Sequence, residues 1–192
     1  MEIRLSDELL IGSGHKRLCY RLPDDPTKLV KIERHIDPTK NDNLIESTYY
    51  EHLKKRAVDF SHLARCDGWI ETSQGKGLVF ERILNHDGSS PYTLEEMIKK
   101  AAPLTREQLD PLVNALGTYL KKNQILFADV GLGNILCQQL ENGSWKLVII
   151  DGLGSTKMDF RFRLRMLIPL YNRYKIAIQW KRFMTNYRKK AS

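Results

Sequence analysis

The stretch Asp129-Val130-Gly131-Leu132-Gly133-Asn134-Ile135-Leu136 carries the most specific chemical pattern in the chain. An acid is followed five positions later by an asparagine that opens a predicted strand. Seventeen residues beyond Asn134, Asp151 ends another predicted strand and is followed by glycine. Phosphoryl transfer needs an acid to orient the attacking hydroxyl and oxygen donors to hold magnesium on the phosphates. Each acid alone can also be explained as a turn former, but their occurrence together with Lys31 and Glu46 in this order favours the phosphoryl-transfer interpretation.

A lysine and a glutamate upstream form a candidate ion pair. Lys31 lies in the apolar stretch Leu29–Ile32, and Glu46 lies on a predicted helix over residues 41–56. A lysine in such a strand is either an edge residue that points to water or a buried charge that needs a partner. A Lys–Glu pair between a strand and a helix can hold the phosphates of a nucleotide, which is the functional interpretation of these two residues.

The short sequence Gly12-Ser13-Gly14 lies between two predicted strands. Glycine lets backbone amides approach phosphate oxygens closely, so a glycine hairpin over phosphates is one interpretation. An ordinary turn is the other. A dinucleotide-binding glycine motif is excluded because a strand, and not a helix, follows the glycines.

The order of the predicted elements indicates the fold class. Alternation and turn residues predict strands near residues 9–11, 18–20, 29–32, 68–72, 77–80, 134–137 and 146–150, with the loop Ser73–Lys76 joining the fourth and fifth of them. Helices are predicted over 41–56, after the capping boxes that begin at Thr93 and Thr105, and in the last 36 residues with a break near Pro169. Because strands and helices do not alternate regularly, the pattern predicts an α+β protein with two lobes.

Composition narrows the class of protein. The 192 residues are 42% hydrophobic and 28% charged, which excludes disordered and fibrous classes. No apolar run approaches the roughly 18–20 residues of a membrane-spanning helix, and the first residues lack an apolar signal core. The three cysteines are far apart and odd in number, so neither a disulfide framework nor a cysteine zinc site is expected. We therefore expect a cytoplasmic protein without an integral membrane segment.

The net charge of +8 is concentrated at one end of the chain. From Lys157 onward there are eleven Lys and Arg residues and one acid, Asp159, whereas residues 1–156 are nearly neutral. Such a segment attracts phosphates on a substrate, a membrane surface or nucleic acid, and a solvated helix face is an equally good explanation. Its many large apolar residues predict that it packs on the helix that contains Leu109–Leu120.

The order of glycine hairpin, strand lysine, helix glutamate, D-x-x-x-x-N loop and Asp-Gly resembles the protein-kinase-like fold. More narrowly, the chain resembles the YrbL-like family of PhoP regulatory network proteins. That likeness spans nearly the whole chain and rests on Ile3-Arg4-Leu5-Ser6, Cys19-Tyr20, Lys31-Ile32, Tyr49-Tyr50-x-His52-Leu53, Asn134-Ile135-Leu136-Cys137 and Trp180-Lys181-Arg182-Phe183. The resemblance implies a single minimal kinase-like domain, with an antiparallel N-lobe sheet in residues 1–84 and a short helical C-lobe in residues 85–192 that ends in basic helices over 157–192.

The kinase resemblance also implies a role for each matching residue. Gly12, Ser13 and Gly14 would cover the phosphates of ATP, and Lys31 would contact them while paired with Glu46. Residues from Glu81 to Ile83 would bind adenine through backbone groups. Asp129 would be the catalytic base, and Asn134 and Asp151 would hold Mg²⁺.

Several positions depart from the kinase pattern. Arg17 replaces the third glycine of the hairpin, Phe127-Ala128 replaces the His-Arg before the catalytic acid, and Gly131 replaces the lysine that follows it. Lys157, Arg161 and Arg163 are candidates for the missing positive charge. Only about 40 residues follow Asp151, so an activation segment and a large helical lobe are not expected.

These observations lead to three hypotheses about function. The first is an ATP- and Mg²⁺-dependent phosphotransferase whose acceptor is a small molecule or another anionic compound. The second is a nucleotide-binding pseudokinase that acts as an adaptor for a regulatory protein partner. The third is a non-enzymatic module that binds anionic surfaces through its basic end; nucleic acid is not the favoured partner.

Overall fold

The computed structural model describes residues 2–34, 41–99 and 103–191. After a short 3-10 helix at Asp7–Leu9, the chain forms an antiparallel sheet of five strands with the order β1-β2-β3-β5-β4. Its strands are β1 (Leu10–Ser13), β2 (Arg17–Arg21), β3 (Lys28–Glu33), β4 (Cys66–Thr72) and β5 (Gly75–Glu81).

Strand β3 lies in the middle of this sheet, between β2 and β5. Because side chains alternate along a strand, Val30 and Ile32 face one way and Lys31 faces the other. Val30 and Ile32 pack in a small core with Tyr20 and Val79. The alternation therefore leaves Lys31 on the face that the rest of the molecule covers.

Helix α1 (Asp42–Lys55) connects this sheet to the remainder of the chain. The Asn41 side chain caps it by accepting a hydrogen bond from the Leu44 N–H at 2.7 Å. The Tyr49 hydroxyl accepts a hydrogen bond from the Leu126 N–H at 2.7 Å, and the Tyr50 hydroxyl donates one to the Ala64 carbonyl at 2.7 Å. These buried bonds fix α1 to two different segments.

The second half of the chain combines a small sheet with helices. Strands β6 (Tyr92–Thr93), β7 (Ile135–Gln139) and β8 (Trp145–Ile149) pair in that order, and helices α2 (Leu94–Lys99) and α3 (Arg106–Lys122) come between β6 and β7. Capping boxes begin α2 and α3, as the sequence predicts: the Thr93 and Thr105 N–H groups donate to Glu96 and Gln108 at 3.0 and 2.9 Å.

The chain ends in helices α4 (Phe160–Leu167) and α5 (Pro169–Ala191), which are divided at Pro169 as predicted. Helix α5 packs on α3, and the Trp180 ring lies directly over Gly117, where an added Cβ would come within 2.4 Å of the ring. The Tyr187 hydroxyl donates to the Asp110 carboxylate at 2.7 Å. The predicted packing of the basic segment on α3 is therefore confirmed.

The structure confirms an α+β fold with an antiparallel sheet, and it differs from the sequence expectations in detail. The β4–β5 turn is only Ser73-Gln74, because Gly75 adopts a positive φ of 98° that closes the hairpin early. The sequence did not predict β6, and part of the apolar surface of α4 and α5, including Leu167 and Leu170, is exposed. Within the described ranges, no helix is both long enough and apolar enough to cross a membrane.

Candidate functional site

Lys31 and Glu46 form a buried ion pair. The Lys31 Nζ lies 3.2 Å from the Glu46 Oε2, and the two side chains are 6% and 4% exposed. The same Nζ donates to the Ile150 carbonyl at 2.8 Å and lies 4.2 Å from the centre of the Phe80 ring. The structure thus brings these two predicted residues together, and it places Lys31 in a central strand and not at a solvent edge.

Arg17 lies at the centre of the same charge cluster. Its Nη1 donates to Glu46 at 2.8 Å and to the Asn43 carboxamide oxygen at 3.0 Å, and its Nη2 donates to Asp151. The Asn43 side chain is held in turn by a 2.8 Å bond to the Lys31 carbonyl. Arg17 and Asn43 are buried residues of the site that the sequence did not reveal.

The cluster contains two cations and two carboxylates. Burial raises the pKa of Glu46, and Arg17 and Lys31 offset part of that effect. Burial also acts to raise the pKa of Asp151, but Lys31 and Arg17 outweigh it and hold the pKa far below its usual range. The Asp151 side chain is 37% exposed, so this ionised carboxylate faces solvent in the cleft, whereas Glu46 is enclosed.

Backbone bonds hold the predicted catalytic loop against the Asp-Gly segment. The Ala128 and Asp129 N–H groups both donate to the Gly152 carbonyl, at 2.8 and 3.0 Å, and the Asn134 side chain donates to the Asp129 carbonyl at 3.0 Å. Gly152 has a φ of +80°, and a Cβ there would lie 2.7 Å from the Asp129 carbonyl oxygen. Only glycine fits this position, and it brings Asp129, Asn134 and Asp151 to one place.

These residues line a cleft with two connected parts. The part beneath the β1–β2 hairpin has a volume of about 520 Å³, and its lining includes Gly12, Ser13, Gly14, Asp129, Asn134 and Asp151. The part beside β5 has a volume of about 420 Å³, and its lining includes Lys31 and the apolar residues Leu29, Ala64, Phe80, Ile83 and Leu136. The two parts share Gly12, Cys19, Ile150 and Asp151, so a charged region adjoins an apolar slot.

The predicted adenine-binding segment lies at the wall of the apolar slot. The Glu81 and Arg82 N–H groups donate to the Arg65 and Thr27 carbonyls at 2.8 and 2.7 Å. Among the described residues, no partner takes the backbone N–H of Ile83. Ile83 also lines the slot, so its amide is the one of this segment that we expect a ligand to meet.

The position of the basic C-terminal segment differs from one expectation. Lys157, Arg161 and Arg163 were candidates for a positive charge in the cleft, but none of them lines either part of it. Arg163 instead lines a separate cavity beside Glu51 and His52, because α4 lies along the outer side of α1. Arg17 provides a buried positive charge in the cleft instead. It occupies the position of the third glycine in the kinase hairpin pattern.

Known proteins resemble this chain over most of its length. Residues 3–188 match the family model described as PhoP regulatory network protein YrbL. The chain belongs to this family. It is 32% identical over 158 residues to "Uncharacterized protein YrbL" of Escherichia coli (strain K12), which covers 81% of this chain and 75% of that protein. The protein of the same name from Shigella flexneri gives the same values.

A solved structure confirms the kinase-like fold. The crystal structure of Rad53 residues 1–466 in complex with AMP-PNP superposes with a TM-score of 0.53 at 18% sequence identity. The match covers 77% of this chain but only 37% of the Rad53 chain. At this identity the likeness establishes the fold, and it does not transfer an activity.

The donor set fits a magnesium ion only in part. Within the described ranges, no group of three His, Cys, Asp or Glu side chains lies close enough to hold a metal ion. Asp151 and Asn134 offer a carboxylate and a carboxamide oxygen, and magnesium is commonly held by one or two carboxylates with phosphates and water as the other ligands. The two residues therefore fit an ion that arrives with a nucleotide.

Proposed function

We propose that the chain is an ATP- and Mg²⁺-dependent phosphotransferase of a PhoP-type bacterial regulatory network, with a small-molecule or other anionic acceptor. The observation that supports it best is the convergence of the Lys31–Glu46 pair, Asp129, Asn134 and Asp151 on one cleft beside an apolar slot. An apolar slot next to clustered charges suits a nucleotide, whose base is flat and whose phosphates are anionic.

In this proposal each residue acts through a contact that its position allows. The base enters the slot between Leu29 and Leu136 and meets the Ile83 amide, which has no partner among the described residues. Lys31, held by Glu46, lines the slot and would bind the phosphates where the slot meets the part beneath the glycine hairpin. The exposed Asp129 carboxylate orients the acceptor hydroxyl.

Asn134 and Asp151 would hold Mg²⁺, which supplies charge neutralisation on the transferred phosphoryl group.

The test compares wild type with Asp129→Ala in binding and in turnover. ATP binding is measured by the shift in thermal unfolding with Mg-ATP, and transfer by a screen with labelled ATP against lysate metabolites and proteins. We expect Asp129→Ala to keep most of the thermal shift and to lose transfer, since proton transfer by a positioned acid is worth roughly 10²–10⁴-fold in rate. Glu141→Ala, an exposed acid in the β7–β8 turn, is the matched control.

A variant with normal transfer would contradict the role of Asp129. No thermal shift of wild type with ATP would contradict the proposed function as a whole.

A second candidate is a nucleotide-binding pseudokinase that acts on a regulatory protein partner. The contact between Arg17 and Asp151 favours it, because the carboxylate expected to hold the metal already has a cation. The replacements Phe127, Ala128 and Gly131 point the same way. Nucleotide binding without transfer in the screen, for wild type and Asp129→Ala alike, would support this second candidate over the first.

A further inference from the structure

Arg17 has no role in the phosphotransfer scheme above, yet its guanidinium lies beside the residues of that scheme. Three side chains hold it, those of Glu46, Asn43 and Asp151, and only 6% of the Arg17 side chain is exposed. An arginine that has lost its water and is bonded at both Nη atoms is a fixed part of the cleft. Its planar guanidinium group holds carboxylates more rigidly than the ammonium group of a lysine would.

Among these three partners of Arg17, Asp151 is the one that is expected to hold a metal ion. An ionised carboxylate that faces a triphosphate repels it unless a cation neutralises the carboxylate, and in kinases a metal ion is that cation. Here the Asp151 Oδ1 accepts from Arg17 and lies 3.9 Å from the Lys31 Nζ. The carboxylate expected to bind the metal is thus neutralised by the protein itself.

The charges of the cluster balance without an ion. Arg17 and Lys31 carry two positive charges, and Glu46 and Asp151 carry two negative charges. Without Arg17 the same cluster would carry a net negative charge in addition to that of Asp129 in the same cleft, and it would repel a triphosphate. The hairpin that carries Arg17 is also tied to the start of α1, where Lys16 pairs with Asp42 at 3.0 Å.

We propose that Arg17 takes the place of a metal ion at Asp151 during nucleotide binding, so that the cleft binds a nucleoside triphosphate with or without Mg²⁺. This inference rests on the proposed function, since it requires that the cleft takes a nucleotide. Under this proposal Mg²⁺ would be needed only for the transfer step, where Asn134 and Asp151 would hold it.

The experiment is calorimetric titration of the full chain with ATP, once in EDTA and once in excess Mg²⁺. We expect wild type to give similar dissociation constants in the two buffers. Arg17→Gln is expected to weaken binding in EDTA by roughly tenfold to a hundredfold, the value of a hydrogen bond to a charged group, and to weaken it much less in Mg²⁺. Lys28→Gln is the control, because Lys28 pairs with Asp67 at 3.1 Å and does not line the cleft.

The outcomes separate the two proposals. Binding of ATP by wild type only in Mg²⁺ overturns the inference about Arg17 and leaves the proposed function standing, whereas no binding in either buffer overturns both. A loss of equal size in both buffers for Arg17→Gln would mean that Arg17 only supports the fold, and it also overturns the inference. If Arg17→Gln does not unfold cooperatively, the same titrations are made with Arg17→Lys. ATP binding retained in EDTA supports the inference, and a loss of ATP binding in the Mg²⁺ buffer alone overturns it.

Discussion

Glu46 is the carboxylate that two buried cations share, so Glu46→Gln perturbs the whole charge cluster. Its Oε2 lies 2.8 Å from the Arg17 Nη1 and 3.2 Å from the Lys31 Nζ, and none of the three side chains is more than 6% exposed. Glutamine keeps the shape and most of the hydrogen bonding but removes the charge. Arg17 and Lys31 would then share Asp151, which only Arg17 contacts closely.

The loss of unfolding free energy that we expect for Glu46→Gln follows from the burial of this cluster. Removal of one partner from a buried ion pair costs about 3–5 kcal/mol, because the other charge stays buried without compensation. Asp151 still neutralises Arg17, so we expect a value of about 3 kcal/mol, at the lower end of that range. A domain with about 5–15 kcal/mol of total stability still folds after such a loss.

Urea unfolding at neutral pH measures this loss, with Glu51→Gln as the control on the same helix. Glu51 is 60% exposed and pairs with Lys54 at 3.2 Å, so its loss should cost at most about 1 kcal/mol. In the double variant Arg17→Gln and Glu46→Gln, the loss of unfolding free energy should be smaller than the sum of the two single losses by about 0.5–3 kcal/mol, since both changes remove the same contact. A Glu46→Gln variant as stable as the control would refute the reasoning.

Two further changes test the segment around Asp151. Lys31 and Arg17 lower the pKa of Asp151, so the stability that Asp151 contributes is complete above its ordinary pKa and is lost as the pH falls toward the lowered pKa. Asp151→Asn should therefore flatten the decline of the unfolding free energy between about pH 4 and pH 2, which acid titration of the urea unfolding curve measures. Gly152→Ala should lower the melting temperature more than Gly143→Ala. Both glycines have φ near +80°, but of the two only Gly152 has neighbouring atoms that an added Cβ would meet. Equal losses in melting temperature would contradict the close contact between Gly152 and Asp129.

Much of this fold could be predicted because its signals are local. Strands β1 to β3 follow from alternation and from the turns between them, and the β7–β8 hairpin follows from Asn142-Gly143. Asp129, Asn134 and Asp151 could be found because their separation along the chain is fixed by one loop and one hairpin. The short strand β6 has only two residues, too few to show any period.

The contacts of Arg17 could not be predicted, because its partners lie far along the chain, on helix α1 and on the segment after β8. Its contact with Glu46 depends on the packing of α1 against the sheet, and its contact with Asp151 depends on how the segment after β8 folds back. The sequence shows only that an arginine stands where a third glycine is expected. The alternation that places Cys19 in the cleft also places Arg17 there, and this is the one signal that could have indicated it.

The two tyrosine hydrogen bonds of α1 oppose rotation of this helix. In protein kinases the corresponding helix is repositioned to make or break the Lys–Glu pair. Here, outward rotation of α1 would strip the Tyr49 hydroxyl from the Leu126 amide and the Tyr50 hydroxyl from the Ala64 carbonyl, leaving buried groups unpaired at about 1–3 kcal/mol each. We therefore expect helix α1 to keep its position and the Lys31–Glu46 pair to stay formed.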